Sequence, residues 1–313
     1  MTAPPLPMAF SGPDLPGLDA LLEEEAAVTW ATWRWRAAPL PAHCQGIAWV
    51  RREEVLGYQM VQFCQGVAVL GRSFVTRRER PGPLETAFYT TVVETCLRMP
   101  TVDRVFGEMA WADGTTLATF QARWPGRVRI RILQETTRPA PSLPDPEGVA
   151  FAPWKREEAG ATGNLLHRTY SLIPDPLANP AFFNPEGMGL LVGAMVDHPV
   201  VGEFEPMASF SARDAATGDL LGILLATRMG GIQGHIAEVA VDPSCQGRGL
   251  GRALMVRGLR SLEALGCRAT NLVVNEDNTR AFNLYQSLGF NELHRFPDLR
   301  LRKGAPGIPS ATA

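Results

Sequence analysis

No stretch of this 313-residue chain approaches the ~18 consecutive apolar residues of a membrane-spanning helix. The first residues, MTAPPLPMAFSGPDLPGLDA, lack the basic start and apolar run of a secretory signal. Cysteine is scarce, with five residues scattered at positions 44, 64, 96, 245 and 267. None forms a CxxC pair or a Cys/His spacing suited to zinc, so reduced thiols in a cytoplasm and no metal are expected. Charge of one sign is also missing: the net charge is −2 and the pI about 6.2. A nucleic-acid or anionic-membrane partner leaves a basic footprint that this balance does not show.

What is present is an ordinary globular composition, 45% apolar and 20% charged, in a chain long enough for two domains. The seam is TTRPAPSLPDPEG, residues 136–148, with four prolines and little apolar content. It divides residues 1–135 from 149–303, and 304–313 read as a flexible tail. After the seam, a short strand at 148–156 precedes a helix over Glu157–Tyr170. Residues 171–206 then read as one long loop containing Phe182, Phe183 and Met188, a hint of a partly apolar pocket. Strands follow at Phe204–Ala212, Leu220–Arg228 and Gly234–Val241, a helix at 250–265, a strand at 269–274, a helix over 279–288 and a last strand near 291–301. Before the seam, 25–37, 45–52, 54–63 and 65–76 read as a four-stranded meander. Leu84–Leu97 reads as a helix, Val102–Ala110 as a strand, Thr115–Trp124 as a helix and Arg127–Gln134 as a strand. The order of elements repeats, which predicts two copies of one α/β (α+β) fold, each a mixed, mostly antiparallel sheet flanked by helices.

The segment that carries chemistry is VAVDPSCQGRGLGRAL, Val239–Leu254. A strand runs into a glycine-rich turn, and the turn into a helix. Gly249 and Gly251 let backbone approach a ligand closely. The helix start adds unpaired N–H groups and the positive end of its dipole, an anion site suited to phosphate oxygens. No lysine follows the glycines as a Walker loop requires, and GxGxxG fails because Arg252 or Leu254 stands at its last position. What remains is Gln-x-x-Gly-x-Gly, formed by Gln246, Gly249 and Gly251, after Val241-Asp242-Pro243. A second segment reads Asn278-Thr279-Arg280-Ala281-Phe282-Asn283-Leu284-Tyr285-Gln286-Ser287-Leu288-Gly289-Phe290.

In these two motifs the sequence resembles the GNAT superfamily of acyl-coenzyme A N-acyltransferases, over roughly 148–302. Asn278, Ala281, Tyr285, Gly289 and Phe290 stand where that family has them. The resemblance implies a GNAT-type N-acetyltransferase that uses acetyl-CoA as cosubstrate and transfers the acetyl group directly to a primary amine. Backbone amides of Gly247, Arg248, Gly249, Leu250, Gly251 and Arg252, behind Gln246, would hold the pyrophosphate. The edge of Val239, Ala240 and Val241 would pair with pantetheine, one of its amides would polarise the thioester carbonyl, and Asn278 would bond to pantetheine or adjoining backbone. Tyr285 would protonate the departing thiolate; its alternative is a core aromatic. Two residues compete as base, His235 and Glu238. Regular strand alternation puts them on opposite faces, and a bulge between them changes that. A surface histidine and a salt-bridged strand glutamate are the bland alternatives.

The N-terminal half matches neither motif. Its counterpart of the loop, TRRERPGPLE, has one glycine and two prolines, and proline removes the amides that hold phosphate. Phe120 stands near the place of the tyrosine. This half reads as a degenerate, non-catalytic copy, and Arg77, Arg78 and Arg80 as solvated. The expected partner is a small-molecule amine or amino-acid-like acceptor, with no nucleic acid and no membrane; a homodimer is compatible. A GNAT-like acyl-CoA sensor without turnover is the rival reading. A transferase drawing on charged tRNA is disfavoured by the charge balance. Tandem GNAT architecture of this length also occurs in actinobacterial mycothiol synthases, but no motif of the N-terminal half carries that comparison further.

Overall fold

The computed structural model describes residues 6–12, 15–33, 44–64, 66–77, 82–171, 184–197, 202–305 and 308. Two compact units emerge: residues 1–132 with 275–277 and 294–313, and residues 133–274 with 278–293. Among the described residues, no helix is long and apolar enough to cross a membrane.

The N-terminal unit runs β1 (Leu6–Ser11), α1 (Leu18–Trp33), β2 (Gln45–Arg51), β3 (Glu54–Cys64), β4 (Val67–Val75), α2 (Pro83–Arg98), β5 (Arg104–Glu108), α3 (Gly114–Arg123) and the first part of β6 (Val128–Thr136). Strands β1 to β4 pair antiparallel in sequence, and β4 pairs parallel with β5 from Val67↔Arg104 to Leu70↔Gly107. Helix α1 replaces the strand expected at 25–37. Its VTWATW alternation imitates a strand, but LDALLEEEAA is built of strong helix formers. Leu18, Leu21 and Glu25 are buried at helical spacing.

The C-terminal unit contains β7 (Val149–Pro153), α4 (Ala159–Tyr170), α5 (Pro185–Asp197), β8 (Glu203–Phe204), β9 (Phe210–Asp214), β10 (Leu220–Met229), β11 (Gln233–Val241), α6 (Leu250–Ala264), β12 (Ala269–Asn275) and α7 (Thr279–Ser287). Its sheet order is β12-β11-β10-β9-β7, with β8 beside β10. One face carries α4 and α5 over Trp154, Leu165, Leu166, Ile223, Leu225 and Ala240. The other carries α6, whose Gly258 has no room for a Cβ because Leu224 lies against it.

Helix α5 interrupts what the sequence suggested was one loop over 171–206. Pro185 stands at the helix start, and Asn184 Oδ1 accepts the Gly187 amide at 2.6 Å. The glycines that suggested a loop are packing residues. A Cβ on Gly163 of α4 would lie 2.4 Å from the Gly189 nitrogen of α5, so the helices touch backbone to backbone. Met188, expected to line a pocket, is a core residue at 1% exposure. Phe182 and Phe183 lie outside the described residues.

The last strand, β13 (Asn291–Arg302), also corrects the expected boundary. His294–Arg302 falls in the N-terminal unit, where β13 pairs antiparallel with β5, Asp298 facing Glu108 and Arg302 facing Arg104. Leu299 and Leu301 are fully buried there, and Ile308 of the presumed tail is buried with them.

Candidate acyl-transfer site

Strand β11 is the spine of the site. It pairs antiparallel with β10 from Met229↔Gln233 to Gly222↔Val241, with a register shift: Ala226 faces Ile236, while Leu225 faces Glu238. Ala237 is therefore an extra residue, a β-bulge. His235 faces Thr227 and Glu238 faces Leu225, two positions apart on β10. The bulge thus brings His235 and Glu238 to the same face, that of α4, where an unbroken strand would separate them.

On its other edge β11 pairs parallel with β12 only from Gln233↔Ala269 to Ile236↔Leu272. Past Ile236 the strands splay and the edge of β11 is open. The Asp242 amide donates to Leu221 O of β10 at 2.8 Å. Strand alternation then turns the Ala240 amide toward β10 and those of Val239 and Val241 toward the open edge. Ala240, expected to bind cofactor, gives it no amide there; its side chain packs in the α4 core.

The glycine loop follows. Gly247 and Gly249 have φ of 82° and 84°, values that favour glycine, and Gly249 is the N-cap of α6. Gly247, Arg248 and Gly249 are exposed, and nothing lies within 4 Å of a Cβ placed on Gly249. The first turn of α6, Leu250 to Arg252, offers N–H groups without intrahelical acceptors to this open space. Gln246 braces the loop: its Nε2 donates to Val241 O at 3.0 Å, and its Oε1 accepts from Arg280 Nη1 at 2.6 Å. Asp242 sets the turn, accepting from the Ser244 amide and hydroxyl at 3.0 and 2.7 Å and from Arg168 of α4 at 2.7 Å. Burial alone raises the Asp242 carboxyl, but the Ser244 and Arg168 hydrogen bonds outweigh it and hold it below the usual range. The cradle fits a pyrophosphate: exposed amides, a helix start, room at Gly249, and the guanidinium of Arg280 nearby. Arg280 escaped the sequence reading because a single exposed arginine carries no signal until its partner Gln246 is seen.

Helix α7 starts at Asn278, whose Oδ1 accepts the Ala281 amide at 3.2 Å; the side chain is a helix cap. Arg252 Nη2 donates to Ser287 Oγ at 2.6 Å, tying α6 to α7. Tyr285 is 7% exposed, with its ring 5.9 Å from Phe290. Of the two base candidates, His235 is buried in the closed part of the ladder, with Nδ1 2.6 Å from Asn271 Oδ1 on β12. It is not a surface histidine. Glu238 is half-buried where the splay opens. Both its oxygens accept from the Tyr170 hydroxyl at 3.1 Å, and Oε1 accepts the Val239 amide at 3.1 Å.

The N-terminal unit repeats this layout with different chemistry. Strand β4 has a register shift at the same place, Gln59 facing Ser73 and Val61 facing Leu70, and β4 leaves β5 after Leu70. Yet Thr76 Oγ1 and the Arg77 amide are taken by the Glu24 carboxylate of α1, at 2.8 and 2.7 Å. Arg77 is thus partly committed through its backbone; Arg78 and Arg80 lie outside the described residues. Asp113 caps α3 as Asn278 caps α7, and Phe120, seven residues on, is fully buried where Tyr285 stands in α7.

A splayed parallel pair, a bulged central strand and a glycine-capped helix define the GNAT fold. Residues 191–290 match the acetyltransferase (GNAT) family, and the chain carries a GNAT domain in its C-terminal unit. It is 32% identical to a mycothiol acetyltransferase of Rhodococcus erythropolis over 202 residues, 60% of this chain and 64% of the relative. It is 39% identical to another from Mycobacteroides abscessus over 116 residues, 36% of this chain and 39% of the relative. The matched stretch therefore spans less than two thirds of either relative. The fold is similar to a GCN5-related N-acetyltransferase from Sphaerobacter thermophilus (TM-score 0.67, 20% identity, 98% of each chain). It is also similar to a tandem GNAT protein from the clavulanic acid biosynthesis pathway (TM-score 0.60, 15% identity, 98% of this chain and 99% of that one). Both likenesses span the two units and show their fold.

Proposed function

We propose that the protein is an N-acetyltransferase that moves an acetyl group from acetyl-CoA to the primary amine of a small molecule, directly in a ternary complex. The observation that carries this reading is the open edge of β11, bounded by the exposed glycine cradle and carrying a carboxylate at its bulge. Acetyl-CoA supplies an activated thioester. The amides from Gly247 to Arg252, with Arg280, hold its pyrophosphate. The Val241 amide, and that of Val239 once Glu238 releases it, face the cleft and stabilise developing negative charge on the carbonyl oxygen. Glu238 takes the proton of the attacking amine, and Tyr285 returns one to the thiolate. Glu238 is preferred over His235 because it stands where the strands part, whereas His235 is enclosed in the paired ladder. The N-terminal unit is a non-catalytic copy. Names of the relatives support a small-molecule acceptor, and the free thiols at Cys44, Cys96, Cys245 and Cys267 fit a reducing cytoplasm.

Two measurements test this. Coenzyme A at about 100-fold above its Kd should stabilise the protein by roughly 2.7 kcal/mol. Thiol release from acetyl-CoA should then require an amine, screened as L-serine methyl ester, glucosamine and putrescine. Binding without turnover on any amine would favour the sensor reading; no thermal shift with coenzyme A would remove the donor assignment itself.

A further inference from the structure

The carboxylate at the bulge does not stand alone. Tyr170 is the last residue of α4, and its hydroxyl reaches across the sheet face to within 3.1 Å of both Glu238 oxygens. The Val239 amide donates to the same group. Other charged and titratable groups near this face are His235 on β11, which meets Asn271, and Arg168 on α4, which is committed to Asp242. His167 lies one turn before the end of α4, where its carbonyl accepts from Ser171. A phenol shared by both oxygens fixes the plane of the carboxylate and favours its ionised form. Free rotation of Glu238 would spread its lone pairs over several directions, only some of which meet an incoming amine.

The geometry points to Tyr170 as the positioning residue of the proposed base. It orients the Glu238 carboxylate without touching acetyl-CoA. This rests on the reading of Glu238 as the base.

The test uses the full-length protein with glutamate labelled by 13C at the side-chain carboxyl. The Glu238 signal is assigned by its loss in Glu238→Gln. In Tyr170→Phe, which keeps the ring, its titration midpoint should rise by roughly one pH unit, as expected for loss of one hydrogen bond to a charged group. With acetyl-CoA and the best amine of the panel, the acid limb of kcat/KM should rise by the same amount. KM for acetyl-CoA should stay unchanged, and adding Tyr170→Phe to Glu238→Gln should cost nothing further. An unmoved midpoint in Tyr170→Phe overturns the role of Tyr170 while leaving Glu238 as base intact. Full turnover in Glu238→Gln overturns the base assignment, and the positioning role of Tyr170 with it.

Discussion

Arg72 and Glu238 occupy the same position in their respective units. Each stands four residues before the residue that leaves the strand, Thr76 in one case and Asp242 in the other, at a bulge in its own strand. Glu238 presents a carboxylate to a phenol from α4. Arg72 presents a guanidinium to Glu25 of α1, at 2.9 Å through Nε and 2.7 Å through Nη2, and Tyr58 donates to the same carboxylate at 2.7 Å. A guanidinium is always protonated and cannot accept a proton from an amine. The sign of the charge at one bulge therefore separates the two copies as sharply as the loss of the glycine loop does.

This contrast predicts opposite consequences for the two residues. Arg72→Ala leaves Glu25, 2% exposed, without its cation, and should cost about 3 kcal/mol of stability. Coenzyme A affinity should survive, measured below the lowered melting temperature. Glu238→Gln is nearly isosteric, so melting should change little while kcat falls by at least about 10²-fold near neutral pH. A matched loss of kcat in His235→Ala would move the base role to the histidine held by Asn271.

The glycine loops give the second contrast. Gly249 has φ of 84° and open space before it, whereas Gly82, the N-cap of α2, has an extended φ of 167°. Gly249→Val should strain the backbone by about 1–2 kcal/mol and fill the cradle, abolishing the thermal shift with coenzyme A. Gly82→Val should leave that shift close to wild type. Equal losses at both sites would show that the N-terminal unit also takes the donor.

Much of the C-terminal unit was legible because its signals are local. The glycine loop and the alternating strands depend on neighbours within a few residues. What was not legible depends on distant partners. The glycines of α5 look like chain breakers until Gly163 of α4 is seen against Gly189. The VTWATW pattern favoured a strand although α1 buries Leu18, Leu21 and Glu25 as a helix. Alternation alone leaves a bulge between His235 and Glu238 open; only pairing with β10 fixes the extra residue as Ala237 and brings the two to one face. Tyr170, Arg280 and Asn271 carry no motif, and their partners lie 68, 34 and 36 residues away in sequence.

Asp242 links the loop to pH. Its carboxyl is depressed in the folded protein, so its contribution is complete above the unfolded value of about 3.9 and is lost as pH falls through the lower folded value. Arg168→Ala removes one cause of that depression. Melting temperatures of wild type and variant, followed from pH 7 downward, should differ by a constant amount at neutral pH and converge as the Asp242 carboxylate becomes protonated. Coenzyme A affinity should also weaken in the variant, because the turn at Ser244 that sets the cradle loses its anchor to α4. A gap that widens on acidification would mean that Arg168 acts through some other carboxylate.

Tyr285 divides the acid from the core aromatic. Its ring packs near Phe290 and is nearly buried, while the equivalent place in α3 is filled by Phe120, which has no proton to give. Phenylalanine is thus compatible with this helix position in the same fold, and Tyr285→Phe should fold normally. A thiol leaves with a pKa near 8.5, so protonating it helps only moderately at neutral pH, and kcat should fall by about 10²-fold, the low end for general acid catalysis. The apparent affinity for acetyl-CoA and the melting temperature should remain close to wild type, since only an interaction made in the transition state is lost. Unchanged turnover would return Tyr285 to the role of a packing residue. A joint loss of activity and stability would instead identify its hydroxyl as a structural hydrogen-bonding group, leaving the thiolate to depart unprotonated.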